Sequence, residues 1–273
     1  MSIARVAAII GKSRTAIVVP TTAWKPSDEA SLRGWWDMQA PELFSSNARW
    51  TARYGDQILI PAGGSAGVGP TRIANGLEGN NKNCLIFSGT QRSGLSWANP
   101  NLSQCICVMV YRYTSVASGV NPVVWYRTAY GLGTQGMQNY DWGGGFGLTQ
   151  RGRAVTDYKP SYLQTRIVIG LHSDARIMFR LDGTEMLNSA VASTGTEVPA
   201  SSELEIFGAW SGGPLNYTAQ LACVAFFDAS GWSNLLAQKI EGFICHQGIG
   251  GMTTAKLPAE HPYKLSAPTK ALQ

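Results

Sequence analysis

The amino-acid sequence predicts an all-β fold: an antiparallel sandwich of many short strands, closed by one amphipathic helix near the C-terminus and preceded by an N-terminal arm. Three observations carry that reading. Thirty-one glycines, 13 prolines, nine tryptophans and ten tyrosines in 273 residues suit short strands joined by turns better than a helical bundle. Segments rich in β-branched and aromatic residues recur along the chain. Two of them, 175–182 and 184–189, meet at Asp182-Gly183, a dipeptide that supplies the positive backbone angles of a tight hairpin turn. Helical spacing is met once, where Trp232, Leu236, Ile240, Phe243 and Ile244 recur three and four apart.

With 44% apolar and 14% charged residues the chain can bury a full core, and one large β domain fits better than two small ones. No internal repeat or low-complexity tract divides it. The reading is an arm over 1–26, a domain over 27–265 and a tail over 266–273.

Taken in order, the arm holds a short apolar segment, a basic break at Gly11-Lys12-Ser13-Arg14, the strand-like Thr15-Ala-Ile-Val-Val19, then Pro20 and Pro26. Such an arm either adds a strand to a neighbouring subunit's sheet or folds back as an edge strand of its own domain. Strands follow over 32–38, 83–88, 103–113, 122–128, 164–172, 175–182, 184–189, 203–210 and 217–228. In the first, Trp35 and Trp36 are adjacent, so they point to opposite faces; only one enters the core directly, and the other lies under the arm or the helix. Asp228 or Ser230 stands where the helix needs a cap, and Gly248 stands where a left-handed residue would end it. Pro258 and Pro262 forbid much helix beyond, so the tail is extended.

Composition excludes several classes of function. Net charge is +5, but Lys and Arg are scattered and form no phosphate-binding run, which disfavours nucleic acid. Arg5 before Val6-Ala7-Ala8-Ile9-Ile10 imitates a signal peptide, yet the apolar run is interrupted too soon. No stretch approaches the length of a membrane span. Gly11-Lys12-Ser13 lacks the upstream glycine of a P-loop. Cys84, Cys105, Cys107, Cys223 and Cys245 lack metal-ligand spacing and read as buried free thiols, with a contact of Cys105 and Cys107 across a subunit boundary as the alternative.

Two segments carry a family resemblance: Leu-Arg-Gly-Trp-Trp-Asp-Met at 32–38, and Lys-Ile-Glu-Gly-Phe-Ile-Cys-His at 239–246 followed by Leu-Pro-Ala-Glu-His-Pro-Tyr-Lys at 257–264. Together they resemble the concanavalin A-like (laminin-G-like) jelly-roll domains of bacteriophage virion proteins, in which an aromatic-Asp strand opens the fold and an Ile-Glu-Gly-aromatic helix precedes a His-Pro-Tyr tail. Leu85-Ile-Phe-Ser-Gly-Thr90 is similar to a further strand of that family. The likeness covers roughly 27–265. It departs after His246, where Gln247-Gly-Ile-Gly-Gly-Met252 replaces the usual Lys-Trp-Gly-Leu, so the helix exit is expected to be rebuilt.

A glycosidase needs two carboxylates facing one sugar ring. Glu203 and Glu205 are the tempting pair, but the denser Glu-x-Asp-x-x-Glu pattern of jelly-roll glycosidases is missing, and they read as solvated strand-face acids. His172, His246 and His261 stand in no nucleophile motif, and the last two take packing or hydrogen-bonding roles. No catalytic residue, metal site or cofactor is expected. Two loops, 131–146 and 210–217, mix aromatics with short polar side chains as sugar-binding surfaces do. Asn139, Tyr140, Asp141, Trp142, Trp210, Asn216 and Tyr217 are the glycan-contacting candidates.

The resemblance implies a non-enzymatic virion structural protein made in the host cytoplasm. A capsid decoration or head-fibre role is placed ahead of a tail fibre or adhesin module binding host surface carbohydrate, because no repetitive shaft is present. Expected partners are capsid or tail subunits, host surface glycan and further copies of the chain, with neither nucleic acid nor membrane.

Overall fold

A computed structural model describes residues 22–62, 69–77, 82–88, 94–97, 102, 104–116, 120–127, 136–140, 145–150, 153–158, 164–173, 176–190, 203–207 and 217–270. Within 120–158 it is the backbone pairing that is described. Two antiparallel sheets pack face to face, and a helical layer covers the outer face of the first.

The first sheet holds β1 (Leu32–Asp37), β4 (Thr71–Gly76), β5 (Lys82–Phe87), β7 (Cys105–Val116), β12 (Arg166–His172), β13 (Arg176–Leu181), β14 (Thr184–Ala190) and β16 (Tyr217–Asp228). Its order is β14-β13-β12-β7-β16-β5-β4, with β1 also paired to β16. The 12-residue strands β7 and β16 form its spine, registered from Tyr217↔Val116 to Asp228↔Cys105. On β7, Cys105, Cys107, Met109, Tyr111 and Tyr113 join the core between the sheets, while Ile106, Val108 and Val110 join the core under the helix. A strand covered on both faces reads as a continuous apolar run, and that is why 103–113 stood out. Both cysteines are buried between the sheets, which removes the alternative of a contact across a subunit boundary.

Period-two alternation sorts the tryptophan pair as expected. Trp36 enters the inter-sheet core, its ring 5.6 Å from that of Trp97 and its Nε1 donating to the Trp50 carbonyl at 2.9 Å. Trp35 turns the other way and meets Phe243 of the helix edge-on at 5.6 Å. Gly34 makes room for Trp36: a Cβ there would stand 2.3 Å from its ring.

The second sheet runs β11 (Arg153–Tyr158), β10 (Gly145–Gln150), β9 (Gly136–Tyr140), β8 (Val120–Arg127), β15 (Glu203–Ile206), β6 (Leu95–Trp97), β3 (Ile58–Pro61) and β2 (Trp50–Thr51). Trp50, Leu59, Leu95, Trp97, Leu204 and Ile206 face the first sheet. Within 131–146, expected to be a loop, Gly136–Tyr140 is a strand paired with β8, and the chain from Gly145 pairs back onto it, while 131–135 and 141–144 lie outside the described residues.

Helix α1 (Asn234–Gln247) lies on the first sheet, burying Leu236, Ile240, Phe243 and Ile244. Its cap is Ser233, which accepts from the Leu236 N–H at 3.0 Å, rather than Asp228 or Ser230. Asp228 instead ends β16 and pairs with Arg33 at 2.8 Å, and Ser230 sits in a short 3-10 turn. Gly248 ends the helix at φ 64°, as the sequence predicts, and a 3-10 turn over Ile249–Gly251 forms the rebuilt exit. No described helix is long and apolar enough to cross a membrane.

The two ends of the described chain meet in this helical layer. Ala23 bridges Thr269, Trp24 N–H donates to the Pro268 carbonyl at 3.0 Å, and the Trp24 ring packs edge-on against Phe243 at 5.8 Å. The strand expected over 15–19 lies outside the described residues.

Candidate functional site

The charged clusters of the helical layer bind the fold together. Both carboxylate oxygens of Glu241 face Arg180, which donates from Nε at 2.9 Å and Nη2 at 3.0 Å and also reaches the Gly183 carbonyl at 2.8 Å. Tyr263 N–H donates to Nδ1 of His261, which leaves Nε2 to carry the ring proton and donate to Glu241 at 3.1 Å. Arg180, Glu241 and His261 are all buried. A Cβ on Gly242 would stand 2.5 Å from that of Tyr263, and His246 Nε2 bonds the Tyr263 carbonyl at 2.9 Å. The Ile-Glu-Gly-aromatic and His-Pro-Tyr segments therefore clasp each other, and the expected packing role of His246 and His261 is met.

Asp37, fully buried, is likewise saturated. It accepts from Trp35 Nε1 at 2.7 Å, from Gln39 N–H at 3.0 Å and from Arg53 Nη1 at 3.0 Å. Burial pulls the Arg53 guanidinium down, but Asp37 beside it holds it above its ordinary range. Burial pushes the thiols of Cys84 and Cys245 up to about 12, and those of Cys107 and Cys223 well above the usual range. Among the described residues no His, Cys, Asp and Glu side chains gather in a metal-holding group.

The second sheet differs, since its outer face lies away from the helical layer. Ser96 and Glu205 stand directly opposite each other there, alternating with the core residues Leu95, Trp97, Leu204 and Ile206. Glu205 was expected to be solvated and is instead 3% exposed. Ser96 Oγ is buried with no hydrogen-bond partner. Sequence reasoning missed Ser96, although its place between Leu95 and Trp97 is the alternation that marks an outward position. The next strand carries Ile60, half-buried, and Ile58, 39% exposed.

Of the glycan-contacting candidates, Asn139 and Tyr140 end β9, opposite Phe146 and Gly145, and Tyr217 begins β16 opposite Val116. Asp141, Trp142, Trp210 and Asn216 lie outside the described residues. The backbone register nonetheless relates the two groups. Tyr217 stands opposite Val116, the last residue of β7, and Tyr140 opposite Val120, the first of β8. Positions 116 and 120 are joined by a connection that spans at most about 14 Å even when fully extended. Tyr140 and Tyr217, on different sheets, thus share one end of the sandwich.

No protein-family model matches the chain, and no curated protein matches it. Solved structures do. A Trypanosoma rangeli sialidase in complex with sialic acid matches with a TM-score of 0.56 at 16% identity, over 78% of this chain and 34% of that one. The binding domain of Paraclostridial Mosquitocidal Protein 1 matches with 0.52 at 9%, over 79% and 52%. Domain 4 of AbnA, a GH43 extracellular arabinanase from Geobacillus stearothermophilus in complex with arabinotriose, matches with 0.49 at 12%, over 74% and 97%. At these identities the likeness is one of fold. The chain spans about a third of the length of the sialidase it resembles.

One expectation is corrected by this likeness. Catalysis was excluded from the sequence, yet the fold is shared with chains that are sialidases, so neither the fold nor a missing linear motif supports the exclusion. The physical reason is that a sandwich brings side chains together from strands far apart in sequence, so a catalytic group need leave no linear motif.

Proposed function

We propose that this chain is a lectin-like carbohydrate-binding sandwich that meets glycan at the end of the sandwich shared by Tyr140 and Tyr217. The observation that carries the reading is the shared end of Tyr140 and Tyr217, set by their register against the two sides of the β7–β8 connection. The sequences next to these two tyrosines, 139–142 and 210–217, are rich in the aromatic, Asn and Asp residues that sugar recognition requires. The fold of a sialidase chain in complex with sialic acid adds support at the level of architecture. The resemblance of the closing segment supplies the setting, a bacteriophage tail fibre or adhesin that meets host surface carbohydrate. A glycan-binding end favours that place over capsid decoration.

The test is retention on immobilised host polysaccharide. Trp142→Ala and Trp210→Ala should each abolish retention while the melting temperature stays at the parent value. Retention equal to the parent in both variants would sink the assignment of these segments.

A further inference from the structure

We propose that Asn75-Gly76, at the end of the edge strand β4, is a self-modifying site at which the folded chain turns asparagine into aspartyl and isoaspartyl forms with water as its only co-reactant. It is the one Asn-Gly dipeptide of the sequence. The Gly76 amide nitrogen gives up its proton and attacks Cγ of Asn75; a C–N bond closes a five-membered succinimide, and the carboxamide nitrogen takes up the proton and leaves as ammonia. Water then opens the ring at either carbonyl, giving an aspartyl residue by one opening and an isoaspartyl residue by the other. Glycine favours the attack because no Cβ shields its nitrogen or restricts its backbone. The glycan reading plays no part in this chemistry.

The fold decides which asparagine reacts. Strand β4 ends the described order of its sheet, and its register on β5 slips between Ile73 and Gly76, so Ala74 and Asn75, both exposed, take no partner there. Among the described residues nothing bonds the Asn75 carboxamide. A bulged edge of this kind opens at low free energy, and ring closure needs that freedom of the backbone. Asn47, Asn188 and Asn234 are exposed too, but Asn47 accepts from the Ser45 hydroxyl, Asn188 donates to Glu185 at 3.1 Å and Asn234 begins α1; each is followed by a residue with a side chain. Asp182-Gly183, which would cyclise by the same attack with loss of water, is shielded: the buried Asp182 carboxylate accepts from the Ile167 N–H at 2.8 Å and from Arg166 Nη1 at 2.6 Å.

Beyond Asn75 the chain has no room to shift. A Cβ on Gly76 would stand 2.0 Å from Cys84 Sγ, and Leu77 is fully buried with its N–H donating to Gln220 Oε1 of β16 at 2.9 Å, an oxygen that also accepts from Arg112 Nε at 2.8 Å. An isoaspartyl link runs the main chain through Cβ and so adds one atom to it. The extra length falls on the bulge and loosens β4 from β5. An aspartyl residue adds a charge at an exposed position and leaves the pairing as it is.

The experiment ages the full chain at pH 8 and maps its peptides by mass spectrometry, with aspartyl and isoaspartyl forms separated by chromatography. Conversion should concentrate at Asn75, run ahead of Asn47, Asn188 and Asn234, leave Asp182 unchanged, and vanish in Asn75→Gln, whose longer side chain closes a ring poorly. The position is exposed, so the substitution does not threaten folding. If Asn75 stays intact in the folded chain while a guanidinium-unfolded sample converts it, the fold protects the dipeptide and the proposal is overturned. Conversion spread evenly over the asparagines overturns it as well. The isoaspartyl fraction should melt several degrees below the unaged parent, while Asn75→Asp melts with the parent. An isoaspartyl fraction that melts with the parent would mean that the bulge absorbs the added atom, and the loosening of β4 falls.

Discussion

Replacing Glu241 by Gln probes the clasp that joins helix, hairpin and tail. The carboxylate is fully buried and receives two bonds from Arg180, whose side chain is 5% exposed, and one from His261. Gln keeps the volume but exchanges one acceptor oxygen for an amide N–H₂ that faces donors. The Arg180 guanidinium is then a buried cation without its counter-charge, a condition that costs about 3–5 kcal/mol. Taking 3 kcal/mol, because one oxygen survives, the melting temperature should fall by roughly 6–12 °C for a chain of this size. In urea the midpoint should drop with the slope unchanged, since the surface exposed on unfolding is the same. Glu260→Gln, an exposed carboxylate of the same tail, should stay within about 0.5 kcal/mol of the parent. Replacing Arg180, Glu241 and His261 together by apolar residues of similar volume should cost less than Glu241→Gln alone. A Glu241→Gln variant within 1 kcal/mol of the parent would refute the account of a charge held in place by its partners.

Gly242→Ala should destabilise by about 1–3 kcal/mol in urea unfolding despite the better helix propensity of alanine, because its Cβ meets the Tyr263 Cβ at 2.5 Å. Ser233→Ala should cost about 1 kcal/mol while Ser230→Ala changes stability by less than half that, which separates the observed cap from the expected one. At pH 8 the native protein should leave its thiols unreacted with a disulfide reagent, since burial lifts Cys84 and Cys245 to about 12 and Cys107 and Cys223 well above the ordinary range. All five should react once guanidinium unfolds the chain.

Where a strand is long and covered, its sequence announces it. Strands β7 and β16 were legible because both faces are buried, and the Asp182-Gly183 hairpin because its turn chemistry is local; Asp182 indeed stands at φ 47° and Gly183 at φ 88°. Strands β2, β3 and β6, of two to four residues, are too short for any alternation to register. Strand β4 is an edge strand with most of its side chains exposed, so it carries no apolar face to read. The β9–β10 hairpin was hidden by its glycines, which resemble a loop until a neighbouring strand supplies the pairing. Of the candidate site, the aromatic loops were legible by composition. The Ser96–Glu205 pair was not, because its strands β6 and β15 lie more than a hundred residues apart and meet only in the folded sheet.

The helical layer is where the two ends of the described chain are tied to the fold. Both described chain ends meet beside α1, where Trp24 is held by Phe243, by Glu29 at 2.7 Å through its Nε1, and by the Lys239 ammonium over its ring. The same layer holds the clasp and the saturated Asp37, so its polar groups are spent on one another. On the second sheet, by contrast, Ser96 Oγ is buried with no hydrogen-bond partner. A buried polar group left unmatched costs roughly 1–3 kcal/mol, so folding alone disfavours it there. The matched Glu241 carries no such cost, which is why its replacement by Gln, leaving Arg180 without its counter-charge, is expected to destabilise so strongly.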